Sequence, residues 1–203
     1  LLEPNKMLGK KLRITGKGRC NVCNDCDVNT VLEHVQSGNP RFLYAALNAF
    51  SPSDVKAFFE AHGVPLKTER GNRVFPVSDK AADIAEALRR AADEAGVHFV
   101  HAAVRAVRPE GDGFLVEANG THRYDRVIVA TGGASYPLTG STGDGYRFAK
   151  ALDIPVTALR PSLVPLETEE GDAAEMQGLS LKNTALTVTD RESGKAVYTD
   201  FGE

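Results

Sequence analysis

The sequence predicts an α/β fold. Three observations carry it: a strongly periodic helix over 81–95 followed at once by period-two alternation, an Asn119-Gly120 hairpin signal, and the unbroken apolar run Val127-Ile128-Val129-Ala130. An uninterrupted apolar run marks a strand buried on both faces of a parallel sheet, whereas a strand with one wet face alternates.

Along the chain, Leu1-Leu2-Glu3 reads as a buried strand closing on an acid, a position from which a carboxylate can accept hydrogen bonds from ribose hydroxyls. Lys6 to Arg19 carries six basic residues and no acidic one in a glycine-punctuated stretch, the pattern of an anion-binding loop. Asn39-Pro40 opens a short helix with Phe42, Ala46, Ala49 and Phe50 spaced along it. Ser51-Pro52-Ser53-Asp54 opens a second, with Val55, Phe58, Phe59 and His62 as its stripe and Gly63 as its stop. After Ser78, Ala81, Ile84, Ala85, Leu88, Ala91, Ala92 and Ala95 form an apolar helical face, with Asp79 at the positive end of the dipole and Gly96 at the stop.

From Val100 to Ala106 the period becomes two, as in a half-buried strand. Gly111-Asp112-Gly113 turns it back, and Phe114–Ala118 and Thr121–Tyr124 flank Asn119-Gly120, giving an antiparallel meander. The apolar run 127–130 then ends in Thr131-Gly132-Gly133, and Tyr146, Ala149, Lys150 and Leu152 suggest a short helix after the loop GASYPLTGSTGDG. Beyond Pro161 the pieces are Pro-bounded, acidic from Glu167 to Glu175 and alternating in Ala185–Thr189, so a second, β-rich domain is expected there. Both ends read as interior to a longer protein, the chain entering midway through a strand at Leu1 and stopping at Phe201-Gly202-Glu203.

Composition narrows the function classes. With 203 residues, 42% hydrophobic, 25% charged and a net charge of -3, the chain is an ordinary globular one, not disordered or collagenous. No run approaches the ~18 apolar residues of a membrane helix. With no signal peptide pattern and only three cysteines, all within Cys20–Cys26, a cytoplasmic protein with reduced thiols is expected. Those cysteines lack a fourth ligand, so no metal is assigned. The Gly9–Gly18 stretch fails the P-loop pattern because Gly18 follows Lys17, and Pro137 stands where a nucleophile elbow requires its second glycine. His34, His62, His98, His101 and His122 are scattered and receive no role. A buried strand ending in two glycines lets backbone approach a ligand at the carboxyl edge of a sheet.

Three stretches together are distinctive: KKLRITGKGRCNVCND at Lys10–Asp25, GNRVFPVSDKA at Gly71–Ala81 and VIVATGGASYPLTGSTGDGY at Val127–Tyr146. In order and spacing they resemble the bacterial predicted-flavoprotein family of aminoacetone oxidase-family FAD-binding enzymes, or BaiN-type NAD(P)/FAD-dependent oxidoreductases. The resemblance covers nearly the whole chain, continuing through PSLVPLETEE and QGLSLKN. It implies a Rossmann-like FAD-binding domain of the glutathione-reductase type with a β-meander in 1–160, lacking its first strand, GxGxxG turn and helix, and the start of an inserted β-rich domain in 161–203. Without that turn the pyrophosphate would lose its helix N-terminus, so the whole protein rather than this stretch is expected to bind FAD and to be active. The family usually has Thr where this chain has Cys23, and no function is assigned to that thiol.

By the resemblance, Glu3 holds the adenosine ribose; Lys10, Thr15, Gly16, Gly18, Arg19, Cys20, Asn21 and Asn24 line the FAD, with Arg19, Cys20 and Asn21 closest to the flavin. Val104 supplies a backbone contact to adenine, and Ala130, Thr131, Gly132 and Gly133 pass near the dinucleotide. Ser135, Tyr136 and the Gly140–Gly145 loop, including Gly143 and Asp144, border the flavin and substrate cleft. Arg19 and Lys17 are the candidate cations near flavin N1 and C2=O, and Arg19 and Tyr136, the latter as proton donor, are the catalytic candidates. The implied activity is hydride transfer between a small organic substrate and FAD, with NAD(P)H as possible electron donor and neither nucleic acid nor membrane as partner. The alternative from another class is a non-catalytic RNA- or anion-binding module built on Lys6 to Arg19. Against it, Leu1 to Arg41 contains no Phe, Tyr or Trp for base stacking.

Overall fold

The computed structural model describes residues 1–36, 38–161, 167–169 and 171–202. Contacts divide them into Leu1–Thr157 and Ala158–Glu203. The first unit runs β1 (Leu2–Glu3), α1 (Val28–Glu33), α2 (Tyr44–Ala49), α3 (Pro52–Ala61), β2 (Leu66–Glu69), β3 (Arg73–Pro76), α4 (Ala81–Glu94), β4 (Val100–His101), β5 (Ala106–Glu110), β6 (Gly113–Ala118), β7 (Gly120–Tyr124) and α5 (Asp144–Ala151). Parallel strands cannot be joined by a hairpin, and the long crossover between β1 and β4 carries α1 to α4. Leu2 faces Val100 and Glu3 faces His101 across that parallel pair, which places Glu3 at its carboxyl edge. The fold is of mixed α/β, Rossmann type.

Local chemistry fixes the helices. Ser51 and Asp54 form a reciprocal capping box at the start of α3: Ser51 Oγ accepts from Asp54 N, and Asp54 Oδ2 accepts from Ser51 N at 2.8 Å. In α4 the buried face is Ala81, Ile84, Ala85 and Ala87; Leu88, expected in the stripe, is exposed. The cluster on α4, with Cys20, Phe59, Val64, Leu12 and Val22, sits on the Ala87 side, so the helix is rotated from the expected face. Asp79 is not part of the first turn. It lies before the helix at φ +55, and Asp83 is the acid in the first turn. The short helix α2 forms where expected, but Phe42 and Phe50 are exposed because among the described residues no apolar cluster covers them.

The expected strand over 100–106 is split. Val100–His101 pairs with β1 and Ala106–Glu110 pairs with β6, so the chain changes sheet at Ala102–Arg105. The meander β5-β6-β7 closes as predicted, with Ala118 opposite Gly120 at the Asn119 turn. It packs with α5 through Val107, Val116 and Phe148, against which Leu2, Val104, Phe114 and Val127 lie.

The apolar run 127–130 differs from expectation: it is not a strand, and Ile128 is 92% exposed. A ladder needs a neighbour, and none of the described strands lies alongside it; only Val127 joins the core. The pattern records what the residues are suited to, while burial depends on a partner strand that these residues do not supply.

The second unit contains α6 (Asp172–Glu175) and an antiparallel pair, β8 (Thr184–Thr189) and β9 (Ala196–Gly202), with a register shift at Val188/Thr189. Much of the PSLVPLETEE stretch, Ser162–Leu166 and Glu170, lies outside the described residues, as does Glu203.

Candidate functional site

Three pieces of backbone converge beyond the carboxyl end of β1. The first is Glu3 with Asn5: Glu3 Oε1 accepts from Asn5 N at 2.8 Å and from Asn5 Nδ2 at 2.7 Å. Asn5 Nδ2 also donates to Thr139 O at 3.3 Å, and a Cβ on Gly140 would come within 2.8 Å of that nitrogen. The second is the Thr131–Gly133 turn and the Ser141–Gly145 loop: Gly143 N donates to Gly133 O at 3.1 Å, and a Cβ on Gly145 would meet Thr131 Oγ1 at 2.8 Å. The third is Ser135–Leu138, reached by two lysines of the basic segment. Lys10 Nζ donates to Leu138 O at 2.5 Å, and Lys11 Nζ donates to Ser135 O at 3.1 Å and stands 4.9 Å from the Tyr136 ring centre.

Tyr136 is held in a left-handed conformation, φ 54 and ψ 65, and is 67% exposed. Its hydroxyl makes no hydrogen bond with a described residue, so its ring rather than its hydroxyl is the feature the turn presents. Asp144 begins α5 as predicted; Arg147 and then Thr142 hold its carboxyl below the usual carboxylate range.

Residues 15–25 are arranged differently from expectation. Arg19 Nη1 donates to Glu69 Oε1 at 2.9 Å and lies 3.4 Å from Asp79 Oδ1, with the guanidinium 4.0 Å above the Phe75 ring centre. Lys67 completes the group, 2.7 Å from Asp79 and 3.3 Å from Glu69, and holds the Asp79 carboxyl, with Arg19, below its ordinary range. Cys20 is a core residue, 4% exposed, whose thiol is pushed up by burial; it cannot present sulfur to a ligand. Asn24 bridges to Arg73, and its amide donates to Gly71 O at 2.9 Å. With its amide nitrogen turned toward the carbonyls, Asn21 donates to Cys23 O at 3.0 Å and Val74 O at 3.3 Å. Val104 packs against the meander core. The arrangement therefore gathers Glu3, Lys10, Thr131–Gly133, Ser135, Tyr136, Gly143 and Asp144, while the side chains of Arg19, Asn21 and Asn24 turn to the β2–β3 hairpin and its connecting turn.

Asn5, Glu69, Lys67 and Asp79 escaped the sequence reading. Asn5 had a faint signal, an amide two residues after a strand-ending acid. The other three become neighbours of Arg19 only through the β2–β3 register, in which Glu69 faces Arg73.

Two features fit a flavin dinucleotide. Glu3 Oε1 is occupied by Asn5, and Oε2 receives no hydrogen bond from a described residue, which suits a ribose hydroxyl donor. At the other end, Gly16 keeps clear a space that a Cβ would fill 2.8 Å from Asn21 N, and that N–H has no acceptor among the described residues. Among those residues no group of three or more His, Cys, Asp or Glu is placed to hold a metal ion, and no helix is long and apolar enough to cross a membrane.

A Rossmann-type chain with an acid at the carboxyl edge and glycine loops facing it defines a nucleotide-binding class. The chain belongs to the HI0933-like protein Rossmann domain family, whose pattern matches residues 1–194. That membership bears out the family resemblance drawn from its motifs. It is 31% identical, over its full length and 50% of the relative, to a 3-dehydro-bile acid delta(4,6)-reductase of Clostridium scindens. It is 29% identical over 98% of its length to a ribosomal RNA dihydrouridine synthase of Haemophilus influenzae, covering 49% of that protein, and 28% identical over 89% to one of Escherichia coli, covering 44%. The chain spans about half the length of the curated relatives it matches.

Proposed function

We propose that the whole protein binds FAD and uses it to saturate a carbon–carbon double bond conjugated to a carbonyl, with NAD(P)H as the electron source. The names of the relatives describe one shared operation: a Δ4,6 bond system of a 3-oxo steroid and the C5–C6 bond of uracil are both conjugated to a carbonyl, and both lose unsaturation. Bound flavin supplies hydride chemistry at N5. The chain's own residues bind and orient: Glu3 accepts from the ribose, Asn5 fixes the Glu3 carboxylate, and Thr131–Gly133 brings backbone close to the dinucleotide. The observation that carries the proposal is Glu3 at the carboxyl end of β1, one carboxylate oxygen anchored and the other available, in a chain of this family.

A second reading, in which the unsaturated ring belongs to RNA, is favoured by charge. Lys6, Lys10, Lys11 and Lys17 make no ion pair with a described carboxylate, and Phe42, Tyr44 and Phe50 stand exposed beyond them in sequence. The test is anaerobic. Whole protein reduced with NADPH is mixed with a 3-oxo-4,6-diene steroid or with a uridine-containing RNA oligonucleotide. Return of oxidised flavin absorbance with either one supports the conjugated-bond reductase and selects its substrate class. Flavin that stays reduced with both contradicts it.

A further inference from the structure

Gly16, Lys17 and Gly18 are three consecutive left-handed residues, φ 54, 57 and 84, so the basic segment makes its tightest turn there. Positive φ is ordinary for glycine and unfavourable for lysine, which means that the turn holds Lys17 in place against its own backbone preference. Two cations sit on this turn, and their surroundings differ. Arg19 faces Glu69 and Asp79 and stacks on Phe75; with Lys67 it forms a group of two cations and two carboxylates whose charges cancel. Lys17 is exposed and makes no ion pair with a described carboxylate. A compensated cluster has a weak field beyond its own dimensions, whereas an uncompensated ammonium acts on any charge that develops near it.

We propose that Lys17, not Arg19, is the cation this chain offers to the reduced flavin, and that Arg19 is a positioning residue latching the turn onto the β2–β3 hairpin through Glu69. The proposal rests on the FAD-binding reading above. Asn21 belongs to the same arrangement: its side chain is engaged with Cys23 O and Val74 O, and its N–H, kept accessible by Gly16, complements the ammonium as a neutral donor. Charge placed near the pyrimidine end of the isoalloxazine favours the electron-rich state, so the potential reports directly on which cation acts.

The experiment uses the whole protein, loaded with FAD, and measures its midpoint potential. Lys17→Met lowers the potential by the equivalent of about a tenfold change in the two-electron equilibrium, about 30 mV. Lys17→Arg, which keeps the charge, restores it. The double variant Arg19→Met with Glu69→Gln removes one charge of each sign. It leaves the potential at the wild-type value while weakening FAD binding and lowering the melting temperature, and the two single substitutions are strongly non-additive. A potential unmoved by Lys17→Met, or moved as far by the Arg19/Glu69 pair, overturns the proposal alone. Wild-type protein that takes up no FAD overturns the functional reading and the proposal with it.

Discussion

Glu3 and Asn5 form a two-bond carboxylate clasp: the backbone N–H and the side-chain amide of Asn5 both donate to Glu3 Oε1, at 2.8 and 2.7 Å. The second oxygen is thereby aimed by the first. Asn5→Ala removes the amide donor to Glu3 and the link to Thr139 O. At about 1 kcal/mol for a net hydrogen bond, FAD affinity of the whole protein falls about fivefold, read by flavin fluorescence titration. Unchanged affinity would show that Glu3 needs no such orientation.

Gly145 tests the contact between the two glycine loops. A Cβ there would meet Thr131 Oγ1 at 2.8 Å and Val129 Cγ1 at 3.5 Å, so Gly145→Ala destabilises by about 1–3 kcal/mol in urea unfolding. Thr131→Ala removes the nearer obstacle, and the double variant recovers part of the loss. Strict additivity would separate the two loops.

Ser51→Ala breaks the capping box of α3 and lowers stability by about 1 kcal/mol. Urea midpoints of the two proteins, at unchanged slope, check it.

Acid should act through Asp25, which accepts from Lys56 Nζ at 2.5 Å and Thr68 Oγ1 at 2.8 Å. The Lys56 and Thr68 bonds hold its carboxyl below the usual range. A carboxyl whose pKa is lower in the folded than in the unfolded chain binds its proton preferentially in the unfolded state. Its stabilisation is therefore full above the ordinary carboxylate range and disappears as the pH falls through the lowered folded value. Asp25→Asn flattens that part of the stability profile between pH 6 and pH 3, measured by urea titration at each pH. A profile identical to wild type would assign the acid sensitivity elsewhere.

What could be read from the sequence was what neighbours in sequence determine. The caps at Asn39 and Ser51, the α4 period and the Asn119-Gly120 turn are local, and each formed where its residues called for it. Long-range partnership was not legible. Cys20 is a core residue because it packs with Phe59 and Ile84, and Arg19 is matched by Glu69 and Asp79, fifty and sixty residues away. The run 127–130 reads as a buried strand, yet only a neighbouring strand could make it one. Of the candidate site, Glu3, the Thr131–Gly133 turn and Asp144 could be seen in advance because strand ends and helix starts have local signatures.

The central claim, that Glu3 grips the adenosine end of a flavin dinucleotide, is tested most directly by titrating flavin-free whole protein with FAD and with FMN, which lacks that end. FAD should bind at least about tenfold more tightly than FMN, with Glu3→Ala removing most of the difference. Equal affinity for the two in the wild-type protein would contradict it.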